Sequence, residues 1–273
     1  MQARCFNKAN FQTMKDMEIN KIYNENCLDT MARMEDNFID LTVTSPPYDG
    51  LRTYNGYSFD FENIAKELFR VTKDGGVVVW VISDETKNFC ESGNSFRQAL
   101  YMMDCGFNLL DTMIYNKANY APAYPTMRRY AQVCEYMFVL SKGRPNTFNP
   151  IQVAKVRNKT EKGCKMRQKD GTITDSKIIT PTKKTKDANN LWVYPSDKSK
   201  DAKDHPAVFP EKLANDHIIS WSNEGDIVYD PFMGSGTTAK MAKLNNRNWI
   251  GSEISEEYCK IIAQRLQECG GLF

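Results

Sequence analysis

An α/β fold with a doubly wound, mostly parallel sheet is what this sequence predicts, and two stretches carry that expectation. The first is an apolar run, Phe38-Ile39-Asp40-Leu41-Thr42-Val43, closed by Thr44-Ser45-Pro46-Pro47-Tyr48. Its length and β-branched content read as a buried strand. The second is the short strand Asp226-Ile227-Val228-Tyr229-Asp230, followed by Pro231-Phe232-Met233-Gly234-Ser235-Gly236-Thr237-Thr238 and a helical run from Ala239 to Leu244. Another strand, Asn248-Trp249-Ile250-Gly251-Ser252, ends at Glu253. This order of strand, glycine loop, helix, strand and carboxylate brings backbone N–H groups to a ligand and an acid to a ribose. The loop is not a full dinucleotide fingerprint, and it lacks the Gly-Lys-Ser/Thr ending of a phosphate loop.

The end of the first strand has chemistry of its own. Two prolines can neither continue a hydrogen-bonded ladder nor enter a helix interior, and each pushes the preceding residue into extended backbone. The chain therefore stiffens with a hydroxyl before the rigid pair and an aromatic ring after it. Carbonyls without a ladder partner are free to accept hydrogen bonds, which suits a flat, amine-bearing ring. A strand that simply ends in a proline-rich turn accounts for the pentapeptide equally well.

Composition narrows the class. A chain of 273 residues buries a substantial core, as one large α/β domain or a domain with an insertion. No apolar run is long enough to span a bilayer. Residues Met1 to Asp16 are polar and lack the apolar centre of a secretion signal. Eight cysteines are scattered without a Cys-x-x-Cys pair, so reduced thiols and a cytoplasmic location are expected. With only His205 and His217, a multi-histidine metal site is not expected. The net charge of +2 hides an asymmetry, because Ile151 to Asp187 holds eleven Lys or Arg against four acids. That segment carries +7 and the rest of the chain −5. It reads as a footprint for a polyanion or as a solvated loop.

In chain order, a strand is expected from Ile19 to Asn24, then a short helix from Thr30 to Met34 for which Asp29 would be the N-cap. Asp49 to Tyr57 is a glycine-punctuated, tyrosine-rich loop. Ile64, Leu68 and Val71 have helical spacing within Phe61 to Val71. Asp74-Gly75-Gly76 turns the chain into Val77 to Ile82, a strand buried on both faces. A helix over Asn94 to Met103, a strand over Leu109 to Asn116 and an antiparallel partner over Val133 to Leu140 follow. Between those strands, Tyr120 to Tyr130 holds prolines, tyrosines and the pair Arg128-Arg129, which read as a base-pocket wall with a phosphate contact or as surface charge. Order resumes at Leu191-Trp192-Val193-Tyr194, ahead of a helix from Glu211 to Ser220.

Ser-Pro-Pro-Tyr together with Asp-Pro-Phe-x-Gly-Ser-Gly-Thr-Thr resembles the S-adenosylmethionine-dependent DNA methyltransferases that act on exocyclic amines. The catalytic motif precedes the cofactor motif, as in the family's beta class, and the resemblance runs from about Ile19 to about Leu266. It implies a seven-stranded, Rossmann-like methyltransferase sheet in circularly permuted order. Residues 19–144 would form the catalytic part, 145–190 a basic target-recognition insertion, and 191–268 the cofactor-binding part of the same core. S-adenosylmethionine would lie against Asp29, Thr44, Phe209, Asp230, Pro231, Phe232, Gly234, Ser235, Gly236, Thr237, Thr238 and Glu253. A flipped base would meet Ser45, Pro46, Pro47 and Tyr48, the last by stacking. Double-stranded DNA would meet Arg128, Arg129, Lys165, Arg167, Lys183, Lys184 and Lys186. The Pro-Cys nucleophile of cytosine-C5 enzymes is missing. Ser-Pro-Pro-Tyr resembles the cytosine-N4 subgroup, whereas adenine-N6 enzymes more often carry Asp-Pro-Pro-Tyr. A methyltransferase of RNA and a non-catalytic DNA-binding module are the other readings. A separate restriction endonuclease and a homodimer are compatible partners.

Overall fold

The computed structural model describes residues 17–47, 59–118, 128–154, 165–175, 185–195 and 210–269. The chain forms two compact units. One runs to Asn149 and resumes at Asn190, and the other is Pro150–Asn189. In chain order the strands are β1 (Lys21–Tyr23), β2 (Ile39–Thr44), β3 (Thr72–Ile82), β4 (Thr86–Lys87), β5 (Cys90–Glu91), β6 (Asn108–Lys117), β7 (Cys134–Ser141), β8 (Gln152–Ala154), β9 (Lys165–Arg167), β10 (Ile173–Asp175), β11 (Thr185–Asp187), β12 (Leu191–Tyr194), β13 (Ile227–Asp230) and β14 (Asn248–Ser252). The helices are α1 (Cys27–Met31), α2 (Phe61–Val71), α3 (Asn94–Asp104), α4 (Glu211–Trp221), α5 (Thr237–Leu244) and α6 (Glu256–Glu268).

One sheet dominates the larger unit, in the order β1-β14-β13-β2-β3-β7-β6-β12. Only β7 runs against the rest, pairing antiparallel with both β3 and β6. The expected permutation is present. C-terminal β13 and β14 sit between N-terminal β1 and β2, with β13 parallel to β2 through Val228↔Leu41 and Tyr229↔Thr42. Seven strands match the expected set, and β12 adds an eighth by pairing parallel with β6. From the β13–β2 seam the strand order advances in opposite directions, and such a switch point opens a crevice at the carboxyl ends of the strands.

Burial explains why the middle of the sheet is where it is. Val77 to Ile82 of β3 are all buried, which is how a strand covered on both faces reads. Trp80 and Tyr229 are the bulkiest fully buried side chains, and Trp80 Nε1 donates to Gln98 Oε1 at 2.9 Å. α2 buries Ile64, Ala65, Leu68 and Val71 on one stripe. Arg70 fastens α2 to the turn after α1 by donating to the carbonyls of Met31 and Met34.

Two local expectations are corrected. The short helix is Cys27–Met31, and its N-cap is Asn26, whose side chain accepts from Leu28 N; Asp29 stands exposed in the first turn. Asparagine and aspartate are both preferred N-caps, and with the helix starting at Cys27 the cap falls on Asn26 while Asp29 complements the helix dipole. Asp74-Gly75-Gly76 is no boundary turn but a bulge inside β3. Thr72 pairs with Ile39 and Val77 with Leu41, and Gly75 takes φ +80°. A Cβ there would meet the Asn146 side chain at 2.3 Å.

Among its described residues the smaller unit has two antiparallel pairs, β8 with β11 and β9 with β10. Gln168 to Thr172 close the second pair, with Gly171 at φ +86° and Asp170 Oδ1 accepting from Thr172 N at 2.9 Å. Lys165 and Arg167, two residues apart on β9, lie on one face and are exposed, as is Lys186 on β11.

Candidate active site

Two strand ends meet at the switch point. Thr44, the last residue of β2, is fully buried and donates its hydroxyl to Asp230 Oδ1 at 2.6 Å. Thr238 Oγ1, in the first turn of α5, donates to the carbonyl of Val43 at 3.1 Å. These bonds join positions 186 and 195 residues apart. Ser45, Pro46 and Pro47 leave β2 at that point, Ser45 and Pro47 half-buried and Pro46 buried. Tyr48 lies outside the described residues, as do Phe209, Lys183 and Lys184.

The loop after β13 is shaped by its own hydrogen bonds. Asp230 Oδ1 also accepts from Phe232 N at 3.0 Å, Met233 N donates to the Ser252 carbonyl at 3.0 Å, and Gly236 N donates to the Met233 carbonyl at 2.8 Å. Glu253 Oε2 accepts from Gly234 N at 2.8 Å, and its Oε1 accepts from Ser255 N at 2.9 Å. Gly236 takes φ +81°, and a Cβ there would press on the Ile262 side chain at 3.0 Å. Glycine is thus required both by the backbone and by the helix behind it.

Electrostatics follow from burial. Loss of solvent raises the Asp230 carboxyl to about 6, although the hydrogen bonds it accepts from Thr44 and Phe232 N pull the other way. Glu253 is raised by burial too, against the N–H groups of Ser255 and Gly234. Desolvation disfavours the charged form of a carboxylate, while donated hydrogen bonds favour it.

The residues fit a nucleoside-bearing cofactor. Each Glu253 oxygen accepts one backbone N–H and keeps a lone pair for a sugar hydroxyl. α5 starts with no side-chain cap, and Thr237 Oγ1 beside it is buried without a hydrogen-bond partner. Phe232 meets Trp80 edge-on, with centroids 6.1 Å apart, and Phe59 at 5.7 Å. Pro231 and Ser235 are buried in the same loop.

Sequence reading missed what lies under that loop. Arg265 of α6, 5% exposed, donates to the Ser235 carbonyl at 2.6 Å and to Glu211 Oε1 at 2.8 Å. Lys240 Nζ meets the same Glu211 oxygen at 2.6 Å. The available signal is an arginine on the stripe of Ile262 and Leu266, where helical spacing calls for an apolar residue. Of the residues expected to face DNA, Arg128 is exposed, whereas the Arg129 guanidinium is engaged within the protein by Thr86 Oγ1 and Glu91.

A permuted α/β sheet with a glycine loop and a Ser-Pro-Pro segment side by side at its switch point is an arrangement that fits a nucleotide-type cofactor. The DNA methylase profile of N6 and N4 methyltransferases matches residues 39–264, and the chain belongs to that family. It is similar to the orphan methyltransferase M.BamHII of Bacillus amyloliquefaciens, 56% identical over 239 residues, spanning 84% of this chain and 89% of the relative. The type II methyltransferase M.MthZI of Methanothermobacter thermautotrophicus is 28% identical over 91% of this chain and 76% of its own length. Among solved structures, the PvuII DNA methyltransferase (cytosine-N4-specific) superposes with a TM-score of 0.67 at 21% identity, covering 90% of this chain and 85% of that one. A complex of M1.HpyAVI with SAM superposes with a TM-score of 0.61 at 21% identity, over 90% and 98% of the two chains.

Proposed function

We propose that this DNA methyltransferase moves a methyl group from S-adenosylmethionine to the exocyclic N4 of a cytosine flipped out of duplex DNA, with adenine N6 as the alternative acceptor. The observation that carries the reading is the buried Thr44–Asp230 bond, which sets Ser45-Pro46-Pro47 beside the glycine loop. S-adenosylmethionine is the methyl donor, and when bound it supplies an electrophilic methyl group on a sulfonium. Glu253 would hold its ribose hydroxyls, and Asp29, Thr44, Asp230, Pro231, Phe232, Gly234, Ser235, Gly236, Thr237 and Thr238 would form the rest of its cradle. Phe209, which lies outside the described residues, would join them by its resemblance to the family's pattern.

The other residues prepare the acceptor. An aromatic amine is a poor nucleophile because its lone pair is delocalised into the ring. Ser45 Oγ and the Pro46 carbonyl accept hydrogen bonds from its two N–H groups, so that the nitrogen pyramidalises and its lone pair is withdrawn from the ring π system and localised on nitrogen. Pro47 stiffens the segment, and Tyr48 stacks on the flipped base. The bound cofactor would supply the methyl group to that lone pair and keep the S–C electron pair on its own sulfur. The amine becomes acidic only then, and its proton leaves to solvent, so no general base of tuned pKa is needed in advance. Positioning supplies much of the rate.

Cytosine is favoured over adenine by Ser45, a neutral acceptor where adenine enzymes more often carry aspartate. Pro150–Asn189 is the target-recognition insertion, with Lys165, Arg167, Lys183, Lys184 and Lys186 facing phosphates. The reaction requires DNA and cofactor in one compartment, the cytoplasm; no helix among the described residues is long and apolar enough to cross a membrane. M.BamHII is named an orphan, which favours action without a dedicated nuclease. Transfer of a labelled methyl group to duplex DNA, with single-stranded RNA as the competing acceptor, tests the reading. Label in DNA supports it, label in RNA alone replaces it, and no label leaves a DNA-binding module.

A further inference from the structure

Beyond Ile82 the chain makes a feature that the proposed chemistry does not use. Register places it: Thr44, the last residue of β2, pairs with Trp80, two residues before β3 ends at Ile82. From there β4 and β5 form a minimal hairpin, Thr86↔Glu91 and Lys87↔Cys90. Its two-residue loop is Asn88-Phe89, with φ +51° and +68°. Positive φ at both central residues is the signature of a type I′ turn, which selects Asn-Gly. Asparagine fits the first position, but phenylalanine stands where glycine belongs, in backbone that bulky residues avoid. Strain of that kind, held by its surroundings, points toward function.

The surroundings do hold it. Arg129 reaches across to both strands of the hairpin, donating to Thr86 Oγ1 at 2.6 Å and pairing with Glu91. Phe89 is nevertheless 68% exposed, and Tyr130, next to Arg129, is 96% exposed. No large apolar side chain among the described residues is more exposed than these two. Exposed Lys87 and Arg128 flank them. Two solvent-facing rings on cross-braced segments, with a cation near each in sequence, follow the carboxyl end of β3, the strand beside the one that Ser45 leaves.

We infer that Phe89 and Tyr130 are stacking contacts to DNA bases near the modified nucleotide, with Lys87 and Arg128 on the adjoining phosphates. Aromatic rings beside cations are how proteins grip bases without reading their sequence. The Arg129 brace makes Phe89 a rigid projection, suited to lie against a base pair disturbed by flipping. The inference rests on duplex DNA being the substrate.

The turn provides its own test. Phe89→Gly removes the ring and gives the loop the residue it prefers, so a purely structural role and a DNA role are affected in opposite directions. The probe is a pool of random-sequence DNA duplexes, read by fluorescence anisotropy over a range of salt. The expected result is about a tenfold weaker Kd, with the salt slope and the affinity for S-adenosylmethionine unchanged and Tm equal or higher. Lys87→Ala should lower the salt slope by about one. Phe89→Gly binding DNA as tightly as wild type would overturn the inference, as would a loss matched by lower Tm and weaker cofactor binding. Failure of the wild-type protein to bind duplex DNA would instead count against the proposed function.

Discussion

After β13, nearly every turn of the chain is pinned. Asp230 holds Phe232 N, Ser252 holds Met233 N, Glu253 holds Gly234 N, and Arg265 holds the Ser235 carbonyl. After β2, Pro46 and Pro47 have no N–H by which to be pinned in that way. One side of the crevice is therefore a loop fixed by its own hydrogen bonds, and the other is stiffened by two pyrrolidine rings, with Ser45 and Pro47 half-buried and Pro46 buried. The contrast matches the two tasks in the proposed function. A cofactor that is the same every cycle is met by a fixed loop, and a base that must arrive from a duplex is met by a rigid edge rich in acceptors. Thr44 and Thr238 rivet the two sides together.

Removing the shared anchor should have the largest effect. Asp230→Ala strands the Thr44 hydroxyl and Phe232 N together, two bonds to a charged group worth about 3–5 kcal/mol combined. Titration calorimetry should show cofactor affinity falling by at least about a hundredfold. Affinity within threefold of wild type would mean that the loop is held without it.

The next effect is on pH. Asp230 titrates at about 6 in the folded chain, above the usual carboxylate range, so the folded state binds that proton more tightly than the unfolded one. Its contribution to stability is greatest below about pH 4, declines as pH rises to about 6, and stays constant above. Two units correspond to about 3 kcal/mol. Asp230→Asn keeps an Oδ1 acceptor for Thr44 and Phe232 but cannot ionise. The stability difference between wild type and this variant, from urea melts, should therefore move against the wild type by about 3 kcal/mol between pH 4 and pH 7. A flat difference would contradict the burial account. Burial is the larger cause of the Glu253 shift and the Asp230 charge a smaller one, so the substitution changes that group less than it changes position 230.

Ser45→Ala sharpens the contrast from the other side. Turnover should fall by about thirtyfold, near 2 kcal/mol for a lost acceptor, with cofactor affinity unchanged within twofold. Equal losses in both would move Ser45 to the cofactor side. The smallest effect belongs to a rivet: Thr238→Val keeps the shape and loses the bond to Val43, for about 1 kcal/mol by thermal melt.

Much of this architecture was readable beforehand, and the parts that were not have physical reasons. The β13–loop–α5–β14 unit announces itself because apolar runs and glycines are local signals, and the expected Asp230-to-Thr238 loop is where the structure has it. The side-by-side placement of β2 and β13 came from resemblance, since no local pattern reports a parallel pairing across nearly two hundred residues. The Arg265–Glu211–Lys240 group was missed for the same reason, as its partners lie 29 and 54 positions apart. Asn88-Phe89 was missed because turn chemistry calls for glycine, and a phenylalanine hides the hairpin. Pairings in the Pro150–Asn189 unit were hidden by a lysine-rich composition that reads as loop.

Identification of the modified nucleoside tests the central claim most directly. Duplex genomic DNA would be incubated with the protein and S-adenosylmethionine, digested to nucleosides and analysed by mass, alongside the Ser45→Ala variant. N4-methylcytosine from wild type, strongly reduced in the variant, is the expected result. N6-methyladenine, or equal methylation by both proteins, would contradict the assignment of the β2 end to a cytosine amine.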